Sequence, residues 1–149
     1  MALKPDRIET QTDVSFFSDA IATRGGVASV KTAGSGVSMD DSSAVVEYTA
    51  ALANANPVGI LLNDVKDLDL TRQHINWHKD EVQKGGKVTL LQVGQITTDN
   101  IDGSVPSAGS GAFVGNNGNF TCGNSGARVG TFLSSKDSDG FAKIAINIA

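Results

Sequence analysis

The chain has little cysteine, proline, aromatic character or concentrated positive charge. Of its 149 residues, one is Cys and three are Pro, and the aromatics are six Phe, one Tyr and one Trp. The lone Cys122 excludes an intramolecular disulfide and a zinc cluster, and it reads as a small buried hydrophobe. Twelve Lys and Arg against sixteen Asp and Glu give a formal charge of −4, and no segment gathers basic side chains into a stripe that could track phosphates. Nucleic acid is therefore not an expected partner. No apolar run approaches the roughly 18 residues of a membrane span, and Met1-Ala2-Leu3-Lys4-Pro5-Asp6-Arg7 lacks the apolar centre of a signal peptide. The expectation is a protein made in the cytoplasm and soluble there, with no membrane partner.

What the chain does have is glycine, seventeen in all, with Val, Ile and Thr dominating the apolar segments. That composition suits pleated strands joined by glycine turns. The length fits one domain that buries roughly 70% of its unfolded surface. Residues 1–26 read as a polar N-terminal arm with one strand, closing on Gly25-Gly26, and residues 27–149 as the β-barrel or sandwich domain. Within the domain, Val27–Thr32 alternates with period two and reads as a half-buried strand, followed by a strand over Ala44–Thr49. Pro57 ends an alanine-rich turn of helix over 50–56, the only short helix expected. Val58–Leu62 reads as a buried strand, Asp64–Leu70 as an extended surface segment, and Lys87–Thr97 as the strongest strand in the chain. Gly103–Gly111 is a loop. Ala112–Gly115 and Phe120–Cys122 form a hairpin across Asn116-Asn117-Gly118-Asn119, since Asn-Gly tolerates positive φ. Arg128–Leu133 and Phe141–Ile148 form a closing hairpin, with Ile144, Ile146 and Ile148 on one face and Lys143 and Asn147 on the other. The expected fold class is all-β: a single small antiparallel barrel or sandwich.

Candidates for chemistry each lack an obligatory part. His74 and His78 are spaced to share a zinc ion on a helix, but Ile75 stands where the protease motif needs Glu, and on a strand the two would lie about 13 Å apart. Asp137-Ser138-Asp139-Gly140 opens like a calcium loop without the closing acid, and a hairpin turn explains it. Asn119-Phe120-Thr121 matches a glycosylation sequon by chance. No serine has a partner that would activate it, and no nucleophile elbow or phosphate loop is present. The expectation is a protein that is not an enzyme and needs no metal or cofactor. Trp77, amid polar neighbours, is the one ring suited either to a sugar platform or to an interface anchor.

Two stretches carry a resemblance. The first runs from Pro57-Val58-Gly59-Ile60-Leu61-Leu62-Asn63-Asp64-Val65 through Asp69-Leu70-Thr71-Arg72-Gln73-His74 and His78-Lys79-Asp80-Glu81-Val82 to Gly85-Gly86-Lys87-Val88-Thr89-Leu90-Leu91, and it resembles structural head proteins of tailed bacteriophages. The second, Val129-Gly130-Thr131-Phe132-Leu133 through Asp139-Gly140-Phe141-Ala142-Lys143-Ile144, is similar to the closing hairpin of capsid decoration (cement) proteins. The resemblance implies a homotrimeric β-barrel on the capsid exterior, bound to the major capsid protein and holding the expanded head against internal pressure. On that reading the contacts fall in the arm, at Pro5, Asp6, Arg7, Ile8, Phe16 and Phe17, and in the polar-aromatic segment, at Leu70, Arg72, His74, Trp77 and His78. Ordering such an arm costs about 1–2 kcal/mol of backbone entropy per residue, which a binding surface must offset. The alternative reading is a phage adhesion or glycan-binding β-module.

Overall fold

One long strand organises the protein. In the computed structural model, which describes residues 3–4, 6–32, 45–48, 56–64, 68–69, 74–75, 81–82, 84–85, 87–103, 105–124 and 126–148, strand β9 (Lys87–Thr98) has twelve residues. At roughly 3.3 Å per residue it is about 40 Å long, enough to belong to two structures at once. Along one flank it pairs antiparallel with β1 (Ile8–Ser18), from Ile8 opposite Gln95 to Phe17 opposite Lys87. Along the other flank it pairs first with β5 (Pro57–Asp64), over Val88–Leu91, and then with β13 (Ala142–Asn147), over Val93–Thr98.

That division of β9 defines the architecture. Its first half closes a five-stranded barrel in the order β1, β4 (Val45–Glu47), β3 (Val27–Thr32), β5, β9 and back to β1. Its second half carries an antiparallel extension through β13, β12 (Arg128–Phe132), β10 (Gly111–Val114) and β11 (Phe120–Thr121). The extension curls back on the end of β9, because Phe120 N–H donates to the Asn100 carbonyl at 2.8 Å and Asp102 N–H to the Phe120 carbonyl at 2.9 Å. Among the described residues there are also two short pairs: β2 (Ala22–Thr23) with β8 (Glu81–Val82), and β6 (Leu68–Asp69) with β7 (His74–Ile75).

The described residues correspondingly form two cores. Ala28, Val46, Leu61, Val82, Val88 and Leu90 form one, with strands on every side of the barrel contributing. The other packs Ile60, Leu62, Leu91, Ile96, Phe120, Phe132, Ile144 and Ile146 where the extension lies against the barrel wall. Strand β5 serves both, so Ile60, Leu61 and Leu62 are all at or below 2% exposed. A strand covered on both faces reads as an unbroken apolar run, as Val58–Leu62 does.

The all-β expectation holds, and the main strands fall where they were expected. The closing hairpin pairs Phe132 with Ile144 and Gly130 with Ile146, and Ile144 and Ile146 are buried while Asn147 is exposed. The Asn116–Gly118 turn is a single 3-10 turn with Asn117 at φ 57° and Gly118 at φ 75°. The Asp137 turn is explained by its own backbone: Asp137 Oδ1 accepts the N–H groups of Asp139 and Phe141, each at 2.9 Å.

Two expectations need correction. The segment 1–26 contains a second strand, β2, and its first strand is not a separate arm: β1 is bonded to β9 over its length, and Leu3 bridges Thr98 beyond it. Strand β3 is not half-buried by alternation, since Val27, Ala28 and Ser29 are consecutively buried. Both its faces are covered there, and its register shifts between Ala28 and Ser29. Within Asp64–Leu70, expected to be extended, Leu68–Asp69 forms β6 in a short ladder with β7. Apart from Asn56, the alanine-rich turn over 50–56 lies outside the described residues.

Candidate functional site

The expected contact residues divide by position. Asp6, Arg7 and Ile8 are exposed where the chain enters β1, and Ile8 is 55% exposed. Arg7 Nε lies 2.6 Å from Glu9 Oε1, and the Asp6 carbonyl accepts from Thr97 Oγ1 at 3.1 Å, which ties this entry to the end of β9. Phe16 and Phe17 are half-buried. Phe16 packs against the barrel core, and Lys87 Nζ sits 5.8 Å from the centre of the Phe17 ring. Val14, 51% exposed, was not among the expected contacts, although it shares the outer surface of β1 with Ile8.

Of the second expected cluster, His74 lies in β7, opposite Asp69 in the ladder with β6. Leu70, Arg72, Trp77 and His78, like Pro5 of the arm, lie outside the described residues. After them in sequence, β8 pairs with β2, and Val82 is fully buried in the barrel core. Among the described residues no three His, Cys, Asp or Glu side chains come together as a metal site. Cys122 is half-buried against the larger core.

A site that the sequence did not suggest lies between the barrel and the extension. A cleft of about 400 Å³ is lined by the polar residues Thr23, Glu47, Tyr48, Asn100, Asn117 and Asn119. Ala20, Ile21 and Ala22 add an apolar side, with Ile21 60% exposed. The Tyr48 ring fits between two glycines: a Cβ on Gly26 or on Gly118 would come within 2.6 Å of it. Gly118 also holds a positive φ, so glycine answers both demands at that position. The Tyr48 hydroxyl accepts the Gly26 N–H at 2.9 Å and donates to the Thr23 carbonyl. Burial raises its pKa well above the ordinary phenol value, with the Gly26 N–H acting in the opposite sense. At the rim, Lys31 pairs with Asp19 and lies 3.3 Å from Glu47 Oε2, which lowers the Asp19 pKa and raises that of Lys31.

These lining residues come from four separated stretches of chain, so no spacing motif could have assembled them. Asn117 and Gly118 were legible only as a turn, and Tyr48 only as part of a strand. A scan against protein-family models and a search of curated proteins both find no match for this sequence.

Proposed function

We propose that the protein is a structural virion component that binds the outer surface of a phage capsid and stabilises the expanded head as a homotrimer. The observation that carries this reading is where the two resembling stretches fall. The first includes β5, β6, β8 and the start of β9, and the second includes β12, the Asp137 turn and the start of β13. The described strands of these stretches supply Leu61, Val88 and Leu90 to one core and Leu62, Phe132 and Ile144 to the other, which is where a likeness of fold should lie. The exposed entry at Asp6, Arg7 and Ile8 supplies a contact surface, with a charged pair beside an apolar side chain. Arg is among the residue types enriched in protein interfaces. A trimer engaging three capsid sites would gain avidity beyond any single contact.

The test is the melting temperature of expanded heads prepared without the protein, measured before and after its addition, with light scattering on the free protein. A raised head melting temperature and the mass of a trimer are expected. Heads that melt unchanged, or a protein that is monomeric both free and bound, would contradict the proposal.

A further inference from the structure

The cleft beside Tyr48 has the chemistry of a small-molecule site that the capsid reading does not use. Its volume, about 400 Å³, lies within the range of ligand pockets. Three amide side chains line it, and an amide offers both donors and an acceptor, the pairing that a sugar hydroxyl requires. Asn100 Nδ2 is engaged by the Arg24 carbonyl at 3.2 Å, which fixes the side chain and leaves its Oδ1 as an acceptor. The side chains of Asn117 and Asn119 make no hydrogen bond to a described residue. Asn117 stands in the turn with its backbone in the left-handed region, at φ 57°.

The remaining lining narrows the ligand class. No Lys, Arg or His is among the described lining residues, and the Glu47 carboxylate that lines the cleft is paired with Lys31 at the rim, so the lining is close to neutral. One carboxylate does not make a cage for calcium, which takes 6–8 oxygen ligands. Ala20, Ile21 and Ala22 offer an apolar side suited to the C–H face of a pyranose, while the amides and Glu47 suit its hydroxyls. Tyr48, wedged between Gly26 and Gly118 and hydrogen-bonded through its hydroxyl, keeps this surface rigid, so little ordering cost falls on binding. The geometry points to a binding site for a short neutral saccharide, formed where the barrel meets the extension.

The experiment is saturation-transfer and amide-shift NMR on the full chain with glucose, galactose, mannose, N-acetylglucosamine and their disaccharides. At least one sugar should receive saturation, with amide shifts concentrated at residues 20–23, 47–48, 100 and 117–119. Asn117→Gly, which keeps the turn conformation, and Asn119→Ala should each weaken binding about fivefold, the loss of roughly one hydrogen bond. Gln11→Ala on β1 should leave it unchanged. Absence of saturation transfer to every sugar, shifts confined to other surfaces, or affinity unchanged by both cleft variants would overturn the proposal.

Discussion

Tyr48 and Gly26 are joined by a hydrogen bond of 2.9 Å from the Gly26 amide to the phenol oxygen. The same turn is gripped from other strands. Gly25 N–H donates to the Leu61 carbonyl at 2.8 Å, Leu61 N–H to the Gly26 carbonyl at 3.0 Å, and Thr98 Oγ1 to the Gly25 carbonyl at 3.1 Å. Immediately after it Val27 enters one core and Ala28 the other. The Arg24–Gly26 turn is therefore where Tyr48, just after β4, joins β5 and β9 in fastening the two cores together.

Tyr48→Phe keeps the ring in its slot but removes the hydroxyl from the Gly26 N–H and the Thr23 carbonyl. The expected cost is about 0.5–1.5 kcal/mol, the usual net contribution of a hydrogen bond at a partly exposed position, read from urea unfolding. An unchanged midpoint would show that the hydroxyl does not hold the turn.

The pH dependence follows from the same group. Burial keeps the Tyr48 proton in place above the ordinary phenol pKa of 10.0, while the unfolded chain releases it there. The folded state then binds more protons than the unfolded one, so this contribution is full below pH 10 and is lost as the pH rises beyond it. Because Tyr48 is the only tyrosine, tyrosinate absorbance reports on it directly. Ionisation should coincide with unfolding, and Tyr48→Phe should flatten the alkaline loss of stability.

Asp137 provides the opposite case. The Phe141 N–H, and then the Asp139 N–H, hold its carboxyl below the ordinary aspartate value of 3.8. Its contribution is present above that pH and is lost as the pH falls through the lower folded value. Carboxyl NMR should find Asp137 titrating below the other aspartates of the chain, and Asp137→Ala should loosen the β12–β13 hairpin.

Gly130 faces the backbone of β13 so closely that a Cβ would stand 1.9 Å from the Ala145 carbonyl oxygen. Gly130→Ala must push the strands apart, with an expected loss of about 3 kcal/mol or more. Leu61→Ala, which opens the barrel core instead, should cost about 2–5 kcal/mol. Amide exchange would locate the first change in the extension and the second in the barrel.

The closing hairpin can be read from the sequence because Ile144, Ile146 and Ile148 keep strict period two against Lys143 and Asn147, with one face of β13 covered. β1 cannot be read that way. Its register slips three times against β9, between Glu9 and Gln11, Gln11 and Thr12, and Asp13 and Phe16, so its side chains lose any regular alternation and it resembles a free arm. β3 misleads for a different reason: Val27, Ala28 and Ser29 are covered on both faces, and Ser29 supplies a polar position that mimics an exposed one. The cleft is least legible of all, because Tyr48, Asn100 and Asn117 meet only once the extension has curled back onto the barrel.

The central proposal is tested most directly by co-sedimentation. Purified protein is mixed with expanded heads that lack it, and the bound copies are counted after centrifugation. Saturable binding is expected, weakened by the triple variant Asp6→Ala, Arg7→Ala, Ile8→Ala, whose exposed positions leave the barrel cores intact. Protein that stays in the supernatant at every concentration would contradict the account.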